Sequence, residues 1–239
     1  MFVSFSGIDG AGKSTQIDAL SSRLQKEGLR VRNIRFWDDV ARLKGIRETS
    51  GHKIFKGDKG VGSPEAPIER RDKNVQSGFM TAVRLFLYSV DAISMRLAVR
   101  RALRSDADFI IFDRYTYDEL ANLNLRNPLV RLFIRVIMKI VPRPDVSYLL
   151  DADPLQARAR KPEYPLEFLY TNRQRYMNLC ALLGGITVIP PNPVPEVARQ
   201  VFAHAMKHVW SAHETDAAIS GNSGGPASLE NPRQRPAAS

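Results

Sequence analysis

Residues 7–15 constrain this chain more than any other segment, because they read Gly-Ile-Asp-Gly-Ala-Gly-Lys-Ser-Thr. This satisfies the pattern Gly-x-x-x-x-Gly-Lys-Ser/Thr, whose glycines let successive backbone N–H groups point at phosphate oxygens. Phe2, Val3 and Phe5 predict a short strand before this phosphate loop. The helical spacing of Ile17, Leu20 and Leu24 predicts a helix after it. A glycine-rich turn without a ligand is the alternative, and the flanking strand and helix count against it.

The loop pattern assigns a role to particular residue types. Lys13 is expected to reach the β- and γ-phosphates of a nucleoside triphosphate, and the Ser14 hydroxyl is expected to ligate Mg²⁺. The helix that follows adds the positive end of its dipole. The residues expected to bind ATP are Gly7, Gly10, Ala11, Gly12, Lys13, Ser14 and Thr15.

The chain has 239 residues, 44% of them hydrophobic, which is enough for one domain with a real core. Its single cysteine, Cys180, excludes an internal disulfide, and we expect it to be a small buried apolar residue. We find no secretory leader before the first strand and no apolar run long enough for a bilayer, and therefore expect a cytoplasmic location and no membrane partner. The net charge of +10 favours anionic partners, either phosphorylated small molecules or nucleic acid.

Strand and helix patterns alternate after the loop. Strands are predicted at residues 31–36, 109–112, 146–150 and 186–189, and helices at residues 77–103, 129–141, 155–161, 166–183 and 194–210. This alternation predicts an α/β fold with a parallel sheet covered on both faces, which binds ligands beyond the carboxyl ends of its strands. We expect one domain over residues 1–210. A basic, glycine-rich insert at 42–76 is either functional or a solvated insertion, and the polar residues 211–239 are predicted to be a disordered tail.

Asp113 and Arg114 follow the strand predicted at residues 109–112, where a chain with a phosphate loop requires an acid. Asp113 would hold Mg²⁺ there, directly or through water, and the planar fork of Arg114 matches a phosphate group. A plain ion pair that holds a loop is the alternative, and the position after a buried strand favours a functional role. The next basic group consists of Arg158, Arg160 and Lys161. It belongs either to a mobile segment that closes over phosphates or to a solvated basic helix.

Four landmarks, taken in order, make the chain resemble the thymidylate kinase family of nucleoside monophosphate kinases. They are residues 7–15, the triplet Asp113-Arg-Tyr115, residues 144–154 with the sequence Pro-Asp-Val-Ser-Tyr-Leu-Leu-Asp-Ala-Asp-Pro, and residues 168–176 with Phe168, Arg173 and Tyr176. The resemblance spans residues 1–210. It implies a P-loop kinase domain with a short lid at residues 155–167, which transfers a phosphoryl group from ATP to dTMP with Mg²⁺. It also suggests a homodimer formed through helix 77–103.

The resemblance assigns further roles to residues of this chain. Asp9 would meet the sugar of the acceptor, and Arg35 would be a second arginine on the acceptor phosphate. Asp113 with Arg114 would engage magnesium and the acceptor phosphate. Since the phosphate loop has no arginine of its own, the family pattern implies that the lid supplies one. The catalytic candidates are therefore Lys13, Asp113, Arg114, Arg158 and Arg160, and the metal candidates are Ser14 and Asp113.

The acceptor side departs from the family pattern. Residues 88–91 resemble a family segment that ends in Asp-Arg, but Ala92 replaces the arginine that reads the thymine ring. Tyr88 could still stack on a base, and Glu119 and Asn122 stand where the family has polar and tyrosine contacts to the nucleotide. An ionised Glu119 accepts hydrogen bonds only, which favours an acceptor base with an exocyclic amino group.

Two alternatives to thymidylate phosphorylation therefore stay open. One is a P-loop kinase of a different phosphorylated small molecule. The other is a nucleotide-gated protein that binds nucleic acid, which the basic charge supports. The basic residues cluster beside the phosphate-binding motifs, however, and no aromatic-rich motif for nucleic acid is present.

Overall fold

The computed structural model describes residues 1–36 and 78–220. Within them, five parallel strands form one sheet in the order β2-β3-β1-β4-β5. This confirms the predicted parallel α/β architecture. The strands are β1 (Phe2–Ser6), β2 (Val31–Arg35), β3 (Phe109–Asp113), β4 (Val146–Leu150) and β5 (Thr187–Ile189).

Seven helices connect and cover these strands in the described residues. Local signals fix several of their ends: the Asn127 side chain accepts a hydrogen bond from the Leu129 N–H with Pro128 at the first helical position, and Gly28 with φ +80° ends the first helix. The helices are α1 (Lys13–Lys26), α2 (Gly78–Leu103), α3 (Thr116–Leu120), α4 (Pro128–Ile140), α5 (Pro154–Arg160), α6 (Leu166–Leu183) and α7 (Val194–Ser220).

Both faces of the sheet are covered by helices. On one face Met95 of α2 and Ile134 of α4 belong to the same buried cluster as Phe112 of β3, together with residues of α6. On the other face Leu24 of α1 and residues of α7 are buried with Ile111. Successive side chains of a strand point to opposite faces, so β3 has to be apolar at every position up to its last residue.

The carboxyl ends of the four longer strands meet at one edge of the sheet. Phe5 of β1 is the register partner of both Asp113 and Tyr148, and Arg35 of β2 is the partner of Asp113. The phosphate loop follows β1 at this edge, and Arg114 follows β3. The edge therefore collects motifs that lie about a hundred positions apart in the chain.

Two helices differ from the predictions, and two predicted segments lie outside the residues that the structure describes. Helix α7 continues to Ser220, ten positions beyond its predicted end at residue 210 and into the segment predicted to be a disordered tail. Those ten residues contain no glycine or proline, and Gly221 is the first residue that favours an end to the helix. The short helix α3 after the Asp-Arg-Tyr triplet was not predicted. The insert at 42–76 and the tail beyond residue 220 lie outside the described residues.

None of the helices in the described part of the chain is both long enough and apolar enough to cross a membrane.

Candidate active site

The phosphate loop needs glycine at two positions because other backbone lies against it. Gly7 has φ +145°, and a Cβ atom there would lie 2.6 Å from the carbonyl oxygen of Leu150 at the end of β4. Gly10 has φ +81°, and its Cβ would lie 2.2 Å from the carbonyl oxygen of Ala157 in α5. Real Cβ atoms do not approach so closely, so both glycines are required sterically as well as conformationally.

Lys13 is buried at the start of α1 and folds back over the loop. Its Nζ donates hydrogen bonds to the carbonyl oxygens of Gly7, at 2.8 Å, and Ile8, at 2.9 Å. Burial and the nearby positive charge of Arg114 lower the pKa of Lys13 to about 8, although the carboxylates around it act in the opposite direction. Gly12 precedes the helix without a side-chain cap, so the first N–H groups of α1 have no side-chain oxygen from that position.

Arg114 occupies an unusual backbone position at the end of β3. Its φ of +68° lies in the left-handed region, which is costly for a residue with a side chain. Its N–H donates to the carbonyl oxygen of Phe5, 3.0 Å away. Its guanidinium pairs with Asp9 of the phosphate loop and lies 3.4 Å from Asp118. Burial acts to lower the pKa of Arg114, but these two carboxylates outweigh it and raise that pKa above its usual value.

Asp118 is a functional candidate that the sequence reasoning missed. It lies in α3, with its side chain 4% exposed, and accepts hydrogen bonds from Ser6 Oγ at 2.6 Å, Tyr115 N at 3.1 Å and Tyr176 Oη at 2.7 Å. Burial, followed by the charge of Asp118, raises the pKa of Tyr176 well above its usual value. The one signal in the sequence was an acidic residue three positions after Tyr115, a spacing at which acids cap helices.

Asp113 and Ser14 offer oxygen donors near the loop. Asp113 is half-buried at the last position of β3, and its negative charge makes a small contribution that opposes the lowering of the Lys13 pKa. Ser14 is exposed in the first turn of α1. A hydroxyl and a carboxylate are hard ligands that suit Mg²⁺, which is usually held by one or two carboxylates with phosphates and water. Within the described residues, no group of three or more His, Cys, Asp or Glu side chains is placed to hold a metal.

The segment predicted to be a lid begins in α5, which contacts the phosphate loop. Arg160 Nε donates to the carbonyl oxygen of Gly10 at 2.9 Å. Arg158 is half-buried, and its side chain has no hydrogen bond or ion pair with any residue that the structure describes. Lys161 pairs with Glu163 at 3.2 Å within the lid. One lid arginine therefore touches the loop, and the other has its guanidinium unengaged by the described residues.

The predicted acceptor residues differ in their exposure to solvent. Tyr88 of α2 belongs to the core cluster on one face of the sheet, and Ala92 one turn later is fully buried in the same cluster. Glu119 is buried in α3, next to Asp118. Arg35 is exposed at the end of β2. The contacts of Tyr88, Glu119 and Arg35 with an acceptor stay predictions.

A second ion pair lies at the end of β4. Arg173 of α6 binds Asp151 through two bonds, Nε to Oδ1 and Nη2 to Oδ2, both 2.6 Å long. The hydrogen bond to Asp151 raises the pKa of Arg173. Both residues belong to the landmarks noted in the sequence, but their contact was not predicted.

Comparison with known proteins finds relatives that are named thymidylate kinases. No family model matches the chain. It is 29% identical over 203 residues to a protein named "Probable thymidylate kinase" from Methanosphaera stadtmanae, covering 83% of this chain and 93% of the relative. It is 27% identical over 206 residues to "Thymidylate kinase" from Synechococcus sp. (82% and 90%), and 28% identical over 207 residues to "Probable thymidylate kinase" from Archaeoglobus fulgidus (84% and 92%). The high coverage by such relatives, together with the phosphate loop and the arginine after β3, fits a divergent member of the thymidylate kinase family.

Proposed function

We propose that the chain is a nucleoside monophosphate kinase that converts dTMP and ATP to dTDP and ADP with Mg²⁺. The observation that carries the proposal is the ion pair between Asp9 of the phosphate loop and Arg114 after β3. It brings the predicted triphosphate-binding and acceptor-binding sides of the site into contact. The names of the relatives, all thymidylate kinases, support the same activity.

The reaction is an in-line displacement. An oxygen of the acceptor phosphate forms a bond to the γ-phosphorus of ATP while the bond from that phosphorus to the β–γ bridging oxygen breaks, and ADP leaves. Lys13 exchanges its two carbonyl partners for oxygens of the β- and γ-phosphates. Arg114 orients the acceptor phosphate, and Arg158 and Arg160 stabilise the charge that develops on the transferred group. Such a reaction needs positioning and positive charge more than proton transfer.

Ser14 and Asp113 are the residues that would hold Mg²⁺, which supplies charge neutralisation for the triphosphate when it is bound. Their oxygens match the ligands that this ion prefers, and both belong to segments at the loop edge of the sheet. Asp9 would contact the acceptor sugar after it releases Arg114. The predicted cytoplasmic location is consistent with this activity and stays a prediction.

Two residues on the acceptor side favour a base other than thymine. Ala92 is fully buried and offers no hydrogen bond to a thymine ring. Glu119, when ionised, accepts hydrogen bonds from an exocyclic amino group but repels a carbonyl oxygen. A kinase of an amino-substituted nucleoside monophosphate is therefore the second candidate function.

An acceptor screen tests the proposal. ADP formation is measured by a coupled assay with ATP, Mg²⁺ and each of dTMP, dCMP, CMP, AMP, GMP and UMP, with Lys13→Ala as the control for contaminating kinases. A preference for dTMP supports thymidylate kinase activity. A preference for dCMP, CMP or AMP supports the second candidate. If none of the acceptors supports ADP formation, both candidates are contradicted.

Self-association through α2 is a further part of the proposal. Three large apolar side chains lie exposed along one stripe of this helix: Phe86 is 67% exposed, Ile93 55% and Leu97 41%. Their spacing of seven and four positions places them on one face, and exposed apolar stripes of this kind usually bind a partner. Sedimentation analysis tests for a homodimer: wild-type protein should sediment as a dimer and Ile93→Glu as a monomer, and a monomeric wild type would refute the dimer.

A further inference from the structure

Asp118 connects the two halves of the proposed site. Ser6, the residue immediately before the phosphate loop, donates to its Oδ2 at 2.6 Å. The backbone N–H of Tyr115 donates to the same oxygen at 3.1 Å, and Arg114 Nη1 lies 3.4 Å from Oδ1. One carboxylate thus joins the amino-terminal edge of the loop to the segment that carries the acceptor arginine, across 112 positions of sequence.

The carboxylate of Asp118 has no capacity left for a ligand. Its two oxygens provide about four lone-pair sites. Oδ2 accepts from Ser6 and Tyr115, and Oδ1 accepts from Arg114 and from the hydroxyl of Tyr176 at 2.7 Å. Because these four donors fill the sites and the side chain is buried, Asp118 does not touch a substrate. Its influence on the reaction has to act through the residues it holds.

The backbone conformation of Arg114 shows why the hydrogen bonds to Asp118 are needed. A non-glycine residue in the left-handed region is strained and persists only where its surroundings impose it. The Arg114 N–H is tied to Phe5 of β1, and the next N–H, that of Tyr115, is tied to Asp118. The guanidinium then lies between a buried carboxylate, Asp118, and a more exposed one, Asp9.

We propose that Asp118 is a positioning residue that holds the phosphate loop and Arg114 at the mutual distance required for phosphoryl transfer. Asp9 is the partner that Arg114 exchanges for the acceptor phosphate, and Asp118 is the partner that it keeps. The proposal rests on the kinase function proposed above. It adds that loss of the Asp118 network misaligns two sites that each still bind their own nucleotide.

The first test replaces Asp118 with asparagine. An amide keeps the volume but replaces one of the two acceptor oxygens with an NH2 donor, so the N–H donor on that side, of Tyr115 or of Arg114, loses its acceptor. We expect kcat to fall about 10- to 100-fold, since a displacement of about 1 Å costs that much. The Kd of ADP alone and of the acceptor alone, each measured by calorimetry, should change less than about threefold, which separates misalignment from loss of binding.

Two milder variants and a control complete the experiment. Ser6→Ala removes the link to the loop and Tyr176→Phe removes the link to α6, and each should lower kcat by about three- to tenfold with both Kd values kept. Asp108→Asn is the matched control, because Asp108 pairs with Arg30 on the surface at the opposite edge of the sheet. Its kcat should equal that of the wild type. If Asp118→Asn does not fold, the two milder variants decide.

Several outcomes would overturn the inference. One is unchanged kcat per folded molecule in Asp118→Asn, or in both milder variants, with only a lowered melting temperature, because that would mean a purely structural role. Another is tighter acceptor binding with unchanged kcat, which would mean that Asp118 acts only as a negative charge near Arg114. A wild-type protein that phosphorylates no acceptor would instead refute the proposed function.

Discussion

The backbone of Gly10 lies directly beneath the carbonyl oxygen of Ala157, so that a Cβ atom on Gly10 would be 2.2 Å from that oxygen. This contact fixes how closely α5 approaches the phosphate loop. Because the opposing atom is backbone, no side-chain rotation can relieve the clash. Gly10→Ala must therefore move α5 away from the loop or distort the loop itself, and we expect kcat/KM for ATP to fall at least about tenfold.

Gly28→Ala is the matched control for Gly10→Ala. Gly28 has nearly the same φ, +80°, but nothing lies within 4 Å of its Cβ position. Both variants carry the same conformational strain, on the order of 1–2 kcal/mol, and only one carries the clash. Steady-state kinetics and thermal unfolding of the two proteins separate the effects. Equal activity of Gly10→Ala and Gly28→Ala would show that α5 does not need its contact with the loop.

The pKa of Lys13, about 8 in the free protein, predicts pH-dependent ATP binding. Phosphate oxygens near Nζ favour the charged amine and raise that pKa in the complex. Below pH 8 the amine is charged in both states, and affinity does not depend on it. Above pH 8 binding has to take up a proton, so the affinity should fall by up to about tenfold per pH unit until the pKa of the complex is reached.

Calorimetry measures this proton uptake directly, by titrating ATP at pH 8.5 in buffers of different ionisation enthalpy. Lys13→Met removes the titrating group and should bind ATP weakly, without that uptake. An ATP affinity that stays constant from pH 7 to 9.5 in the wild type would contradict the prediction, because Lys13 would then have its ordinary pKa.

Much of the fold was predictable because it depends on local patterns. The apolar run of β3, the cap at Asn127 and the glycine after α1 each act over a few residues. The same holds for the phosphate loop, whose residues are adjacent in sequence. Helix α7 was underestimated because residues 211–220 look polar, although polar residues without glycine or proline continue a helix readily.

The contacts across the site could not be predicted from the sequence. Asp9 and Arg114 were each proposed as functional, but they lie 105 positions apart, and nothing local shows that they pair. Asp118 is indistinguishable from a surface acid in the sequence until Ser6 and Tyr176 are seen to donate to it. Burial of a charged side chain is a property of the assembled fold.

The ion pair between Asp151 and Arg173 should contribute to stability more than an ordinary surface pair. Asp151 is nearly buried at the end of β4 and accepts two short bonds from a guanidinium that is itself 40% exposed. Arg173→Ala leaves that carboxylate without its partner and should lower the free energy of unfolding by about 1–3 kcal/mol. Urea unfolding of Arg173→Ala, Asp151→Asn and the double variant measures the coupling energy. Additive losses would show that the two residues do not interact.

The lid arginines should matter for the transition state more than for binding. The Arg158 side chain has no polar partner in the described part of the chain, and Arg160 is held to Gly10 by one bond. Both guanidinium groups are therefore expected to be available for charge that develops on a transferred phosphoryl group. Arg158→Ala and Arg160→Ala should each lower kcat by about 10²- to 10³-fold while the Kd of ADP changes less than about threefold. Arg158→Lys keeps the charge but loses the planar fork, and should recover only part of the loss.

Arg199→Ala is the control, because Arg199 pairs with Glu196 on the surface of α7. Single-turnover rates measured with saturating ATP decide the matter: a lid variant that keeps more than half of the wild-type rate has no part in the chemical step, and the stabilising charge must then come from elsewhere in the protein.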